Sequence, residues 1–128
     1  MIYLSYKQSW IPPKILEKEL NYIKNQINKL QEKIFIYYFD SNPNLPQNQL
    51  LKNFLLNIKK AKLVLAYINY PEKSEGQLLE LGMAYCLGKK IKILINKEFK
   101  EHYYLVYWLW EVIEFKSLEE IDFAKLIK

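Results

Sequence analysis

Blocks of apolar residues with two different periods alternate along this chain. Five short runs rich in β-favouring residues are predicted to be strands. They cover Ile2 to Tyr6, Ile34 to Phe39, Leu63 to Ile68, Ile91 to Ile95 and Val112 to Phe115. The run from Leu63 to Ile68 contains no polar residue, which is typical of a strand buried on both faces.

The segments between these strands favour helices. From Lys14 to Glu32 the apolar residues recur close to every 3.6 positions, and Gln47 to Lys60 repeats that pattern. Ser117 offers a capping-box start for a last helix that runs to Lys128. Lys97 to Trp110 fits a helix, an irregular segment or an interface, because it has no Gly or Pro and is crowded with aromatic residues.

The stretch from Pro71 to Lys90 combines a polar turn with a helix whose two ends are marked. Ser74 is a good N-cap with Gln77 three residues later, so the helix is predicted to begin at Glu75. Gly88 can adopt the positive φ that ends a helix. The helix therefore presents its N-terminus immediately after the third strand.

This alternation of strands and helices predicts an α/β fold with a parallel sheet, formed by residues 1–128 as a single domain. Ligands in such folds bind beyond the carboxyl ends of the strands. We expect the loops after strands one, three and four to converge on one crevice. Tyr3 and Lys7 are then expected near Ser74, Gly76 and Glu80.

Charge and composition exclude several classes of function. The net charge is +5, and all nineteen basic residues are Lys. Without Arg, specific nucleic-acid binding is not expected. No apolar run approaches the ~18 residues of a membrane span, so we expect a cytoplasmic protein that does not enter the membrane. With one Cys and one His, neither a metal nor a cofactor is expected.

Three positions near the predicted crevice allow a structural and a functional interpretation. Glu80 is either a solvated helix residue or a carboxylate at the mouth of an apolar crevice, where it could act as nucleophile or base. Ser74 and Gly76 either cap the helix or also bind an anion through its first turn. Tyr3 is either a core aromatic residue or part of the site.

The run A-K-L-V-L-A-Y-I-N-Y-P-E-K-S-E-G-Q-L-L-E-L-G-M-A-Y-C-L-G-K-K-I resembles the nucleoside 2-deoxyribosyltransferase family, including its branch of nucleoside 5′-monophosphate N-glycosidases. The family pattern is an apolar strand, a turn and S/D-x-G-x-x-x-E-[LIV]-G-x-A-x-x-x-G-K-x-[IV]. The spacing from Ser74 through Gly76 and Glu80 to Gly88 fits it, and the match covers about Ala61 to Ile95.

The resemblance implies a flavodoxin-like, Rossmann-like three-layer sandwich with a five-stranded parallel sheet of order 2-1-3-4-5. It also implies cleavage or transfer at the N-glycosidic bond of a (deoxy)nucleoside or nucleoside 5′-monophosphate. Glu80 matches the family nucleophile, which forms a glycosyl-enzyme, and Tyr3 matches the tyrosine that orients it. Ser74 resembles the serine that contacts phosphate in the monophosphate branch.

Other consequences of the resemblance concern binding and assembly. Where the family usually carries an Asp before strand three, this chain has K-N-F-L-L-N-I-K-K, so Asn53 is the polar candidate there. A homodimer or larger homo-oligomer is expected through the aromatic segment 101–110, with Tyr103 or His102 completing the partner's site. The alternatives are a nucleotide-binding or sensor module without catalysis, and a glycohydrolase that acts on a nicotinamide dinucleotide.

Overall fold

Five parallel strands form one sheet in the computed structural model, which describes residues 1–128. The strands are β1 (Ile2–Tyr6), β2 (Ile34–Ile36), β3 (Leu63–Ile68), β4 (Lys90–Asn96) and β5 (Glu111–Phe115). Their order is β2-β1-β3-β4-β5, and every neighbouring pair is parallel. The α/β class and the strand order expected from the sequence are confirmed.

Helices cover both faces of this sheet. They are α1 (Pro13–Lys29), α2 (Tyr37–Asp40), α3 (Gln47–Lys60), α4 (Glu75–Cys86), α5 (Tyr104–Leu109) and α6 (Phe123–Leu126). Buried residues of α1 and α6 pack in one apolar core, and those of α3, α4 and α5 pack in a second core across the sheet. Because side chains alternate along a strand, β1 sends Leu4 to the first core and Tyr3 to the second.

Two predicted elements are shorter than expected. The second strand ends at Ile36 rather than Phe39, because the Asp40 carboxylate accepts the N–H of Ile36 at 2.8 Å and the chain turns into α2. The last helix is interrupted. Ser117 forms its capping box, but only the 3₁₀ turn Leu118–Glu120 follows, and Asp122 then caps α6.

The ambiguous aromatic segment contains two short helices. A 3₁₀ helix spans Lys97–His102, and α5 follows it directly. Val106 of α5 is buried in the second core, whereas Tyr104 and Trp108 are 62% and 78% exposed. The segment therefore packs on the sheet through one side and leaves large aromatic rings on its outer side.

No helix in this structure is both long enough and apolar enough to cross a membrane.

Candidate active site

Glu80 is a buried carboxylate on α4 that contacts the first strand. Its side chain is 7% exposed. The Tyr3 hydroxyl donates a hydrogen bond to Oε2, and the Ser5 hydroxyl donates one to Oε1 at 3.1 Å. Tyr3 and Ser5 lie on the same face of β1 because side chains alternate with a period of two residues. Both oxygens of the carboxylate are therefore held in place.

The surroundings of Glu80 place its titration near neutrality. Burial raises the pKa of this carboxyl to about 7, against the opposing effect of the hydrogen bonds from Tyr3 and Ser5. Burial, together with the charge of Glu80, raises the pKa of Tyr3 above its usual range. Tyr3 consequently stays protonated and remains a donor when Glu80 ionises.

A buried amide fixes the first turn of α4 against the sheet. The Ser74 hydroxyl accepts the backbone N–H of Gln77 at 3.2 Å, as its N-cap position predicts. The Gln77 side chain does not return to Ser74. Its amide instead donates to the carbonyls of Ser5 and Tyr67, each at 3.0 Å. The start of α4 is thereby tied to the ends of both β1 and β3.

A pocket of about 180 Å³ opens beside Glu80 at the carboxyl edge of the sheet. It is lined by Tyr6, Gln8, Ser9, Tyr37, Leu50, Phe54, Ser74, Gly76, Gln77 and Glu80. These residues come from the end of β1, from α3 and from the segments that follow β1, β2 and β3. The expectation that the loop after the fourth strand joins the crevice was wrong, because that loop forms the 3₁₀ helix Lys97–His102 and none of its residues lines the pocket.

Some of the predicted site residues meet in this pocket and others do not. Ser74, Gly76 and Glu80 line it, and Tyr3 supports Glu80 from the core. Lys7 is half-buried and does not line it. Asn53 also lies outside, and its backbone carbonyl accepts the side-chain amide of Asn57 at 2.9 Å.

Tyr103 is likewise outside the pocket, and its hydrogen bonds stabilise the fold of its own chain. It is 5% exposed, and its hydroxyl donates to the carbonyls of Tyr70 and Glu72 at 3.0 and 2.9 Å. These contacts support the loop that leads from β3 into α4. Buried in this way, Tyr103 is placed to position the loop rather than to enter a neighbouring subunit's site.

Several residues that line the pocket or hold Glu80 were not singled out from the sequence. Ser5 carried a usable signal, since a polar residue in an apolar strand two positions from Tyr3 shares its face. Tyr37 and Phe54 form an edge-to-face pair with ring centroids 5.3 Å apart. Their meeting depends on how α2 packs against α3, which the local pattern does not specify.

A larger cavity, of about 720 Å³, lies between α1 and the ends of β3, β4 and β5. Its carboxylate Glu19 accepts hydrogen bonds from Tyr67, Tyr70 and Asn69 at 2.9 to 3.3 Å. No group of three His, Cys, Asp or Glu side chains in the chain could bind a metal ion. The smaller pocket is the candidate active site because it is lined by Glu80, a buried carboxyl with a raised pKa.

Two solved structures share this fold over nearly the whole chain. One is described as the CMP N-glycosidase BcmB of Clostridium botulinum, with a TM-score of 0.69, 20% identity, and coverage of 98% of this chain and 95% of that one. The other is a 2-deoxyribosyltransferase of Bacillus psychrosaccharolyticus, with a TM-score of 0.64, 21% identity, and coverage of 98% and 94%. No family model and no curated protein matches the sequence. At these identities the likeness establishes the fold.

Proposed function

We propose that this protein is an enzyme that cleaves or transfers the N-glycosidic bond of a (deoxy)nucleoside or nucleoside 5′-monophosphate. The observation that carries the proposal is the buried Glu80 carboxylate, which is held by Tyr3 and Ser5 and lines a pocket of about 180 Å³. The names of the two structural neighbours describe reactions at the same kind of bond.

Glu80 is the proposed nucleophile. One carboxylate oxygen attacks C1′ of the sugar while the C1′–N bond breaks and its electron pair leaves with the base. The resulting glycosyl-enzyme is then attacked by water, or by a second base in a transfer reaction. A carboxylate close to an oxocarbenium-like centre is the arrangement used by retaining glycosidases. Tyr3 orients the carboxylate, and Ser5 holds its second oxygen.

Ser74 and Gly76 are the proposed contacts to the sugar or its 5′ substituent. Both line the pocket at the N-terminus of α4, where backbone N–H groups and the helix dipole favour an anion. Lys7, in the loop beside the pocket, is a proposed source of positive charge for a phosphate. The volume of about 180 Å³ suits one nucleoside unit better than a nicotinamide dinucleotide.

The test is release of free base from a panel of deoxynucleosides, ribonucleosides and their monophosphates, followed by chromatography. Glu80→Ala removes the nucleophile, so we expect base release to fall by at least about 10³-fold, because a covalent step cannot be replaced by binding alone. Glu119→Gln, an exposed carboxylate outside the pocket, is the matched control and should keep full activity. Absence of base release from every substrate would refute the proposal.

A second candidate function is a nucleotide-binding or sensor module that has no turnover. One observation favours it: Glu80 is the only carboxylate that lines the pocket, whereas glycosidases employ a pair. The two functions are separated by measuring thermal stability with the same nucleotides. A protein that is stabilised by a nucleotide but never releases its base is a binding module.

We also propose that the protein works as a homo-oligomer through the segment 101–110 and the outer face of α4. Large apolar side chains stand exposed there, among them Trp108 at 78%, Tyr85 at 64% and Leu79 at 51%. Both segments pack on the same side of the sheet, and several large apolar side chains exposed on one side of a protein are typical of an interaction surface. The occupant proposed is a second copy of this chain.

Light scattering of the purified protein tests this assembly. Trp108→Glu should shift the mass toward the monomer, because a charge in an apolar interface is costly to desolvate. Ile15→Glu is the matched control, since Ile15 is 50% exposed on α1 at the opposite face of the sheet. A wild-type monomer at micromolar concentration would contradict the proposal.

A further inference from the structure

Departure of a nucleobase needs more than a nucleophile. As the C1′–N bond breaks, negative charge develops on the base, and a hydrogen-bond donor placed at that charge lowers the barrier. Glu80 is the only carboxyl group lining the pocket, and no Lys or His lines it. If Glu80 attacks the sugar, the donor for the base must come from the remaining polar groups of the wall.

Tyr6 has a hydroxyl group that is held in place but keeps its proton available. Its oxygen accepts the backbone N–H of Tyr38 at 2.8 Å. That bond uses a lone pair, and no side chain or carbonyl of the protein accepts the Tyr6 proton. Tyr6 is 8% exposed and lines the same pocket as Glu80. The proton must therefore point away from Tyr38.

Two further features agree with a donor role for Tyr6. Burial is the main cause that raises the pKa of its hydroxyl, and the nearby Glu80 charge raises it further, so the proton is retained throughout the neutral range. Tyr37, the other tyrosine on the wall, is half-buried against Phe54, and no protein group orients its hydroxyl. Tyr6 is the tyrosine whose hydroxyl the fold fixes.

We infer that Tyr6 is a catalytic residue that donates a hydrogen bond to the departing base. This inference rests on the proposed N-glycosidic activity. The bond from Glu80 to C1′ forms, the C1′–N bond breaks, and the electron pair goes to the base nitrogen. The Tyr6 O–H stabilises the charge that spreads onto a base oxygen or nitrogen. The base then takes its proton from water, and Tyr6 keeps its own.

Tyr6→Phe tests the inference when two kinds of leaving group are compared. Two pairs of substrates serve: 2′-deoxyguanosine with N7-methyl-2′-deoxyguanosine, and 2′-deoxyuridine with 5-trifluoromethyl-2′-deoxyuridine. The first member of each pair has a poor leaving base, and the second has an activated one. The base of N7-methyl-2′-deoxyguanosine leaves uncharged. We expect kcat to fall about 100-fold for the poor leaving group, the scale of one lost oxyanion donor. For the activated partner the loss should be roughly 3-fold or less, since little charge needs stabilising.

The pattern of losses decides the outcome. An equal loss on both substrates would show that Tyr6→Phe acts only through the fold, and no loss would show that Tyr6 has no role; either overturns the inference while the proposed function stands. Tyr38→Phe removes a neighbouring hydroxyl that donates to Glu17 outside the pocket, and should change neither rate. A selective loss in Tyr37→Phe but not in Tyr6→Phe would transfer the role to Tyr37. If the wild type releases base from no substrate of the full panel, the proposed function itself is refuted and the inference about Tyr6 is refuted with it.

Discussion

The Tyr3 hydroxyl donates a hydrogen bond to Glu80, joining the first strand to a helix residue 77 positions further along the chain. Tyr3 is fully buried and Glu80 is 7% exposed. A hydrogen bond to the charged form of a buried carboxyl stabilises that form and lowers the pKa, whereas burial raises it. The balance of these two effects determines when Glu80 can act as a nucleophile.

The proposed mechanism requires ionised Glu80, so kcat/KM should rise with pH through an apparent pKa of about 7. Below that pH the carboxyl is protonated and cannot attack C1′. A pH profile of base release between pH 5 and 9 measures this rise, which is the acid limb of the profile. An acid limb near the ordinary glutamate value of 4.5 would mean that Glu80 is more solvated than its burial indicates, or that it is not the essential group.

Tyr3→Phe should lower activity and move the acid limb to higher pH. The hydrogen bond from Tyr3 lowers the pKa of Glu80, so its loss raises that pKa and leaves less ionised carboxylate at neutrality. We expect roughly a 10- to 100-fold fall in kcat/KM at pH 7, because orientation of the nucleophile is lost as well. Tyr22→Phe is a matched control, since Tyr22 is half-buried on α1 and lies outside the pocket. A fall in rate without a shift of the acid limb would mean that Tyr3 orients Glu80 but does not change its pKa.

Glu80→Gln should stabilise the fold at high pH while it removes activity. The folded-state pKa of about 7 lies above the ordinary value of 4.5. The contribution of protonated Glu80 is therefore complete below about pH 4.5 and is lost as the pH rises through 7. Above pH 7 the ionised group costs about 3 kcal/mol relative to a neutral side chain.

Urea titrations at pH 4.5 and pH 8 measure this difference. The Glu80→Gln variant and the wild type should have similar free energies of unfolding at the lower pH, and the variant should be more stable at the higher one. The same change at Glu119, an exposed residue, should alter stability little at either pH. If Glu80→Gln instead lowers stability at pH 8, the raised pKa of Glu80 is contradicted.

Most of the fold was predictable because its signals are local. The runs at β1 and β3 and the period of α3 gave element bounds that the structure reproduces, and Ser74 marked the start of α4. The second strand was not predictable at its end. Ile34 to Phe39 is apolar throughout, and a contact from the Asp40 side chain turns its second half into a helix.

The residues of the candidate site were predictable where they lie on a single element of secondary structure. The sequence left Glu80 open between a solvated helix residue and a carboxylate at an apolar crevice, and its neighbours on α4 do not decide between them, since Leu79 is 51% exposed and Leu81 is buried. The burial of Glu80 instead comes from its contacts with Tyr3 and Ser5 on a distant strand. The pocket walls at Tyr37 and Phe54 depend on packing between helices, which a sequence period does not encode.

Gln77→Ala should destabilise the protein and loosen the start of α4. The Gln77 amide donates to the buried ends of β1 and β3, and loss of two buried hydrogen bonds costs about 2 to 3 kcal/mol. Thermal and urea unfolding measure the loss. Gln49→Ala, at an exposed position of α3, should be close to neutral. Equal stability of the two variants would show that the amide does not hold α4 to the sheet.

Gly76→Ala should separate ligand binding from stability. A Cβ at Gly76 would meet only the Ser74 Oγ at 3.8 Å, an ordinary contact, so the helix should gain about 0.5 to 1 kcal/mol from the loss of glycine flexibility. The added methyl group lies on the pocket wall, where a sugar or phosphate must approach the first turn of α4. We therefore expect KM to rise about 10-fold or more while the melting temperature holds or increases, a cost of about 1.4 kcal/mol in binding. Gly82→Ala on the same helix, where a Cβ would meet nothing within 4 Å, should share the gain in stability with an unchanged KM. If both variants keep the wild-type KM, the substrate does not approach the N-terminus of α4, and the assignment of Ser74 and Gly76 to the binding site is wrong.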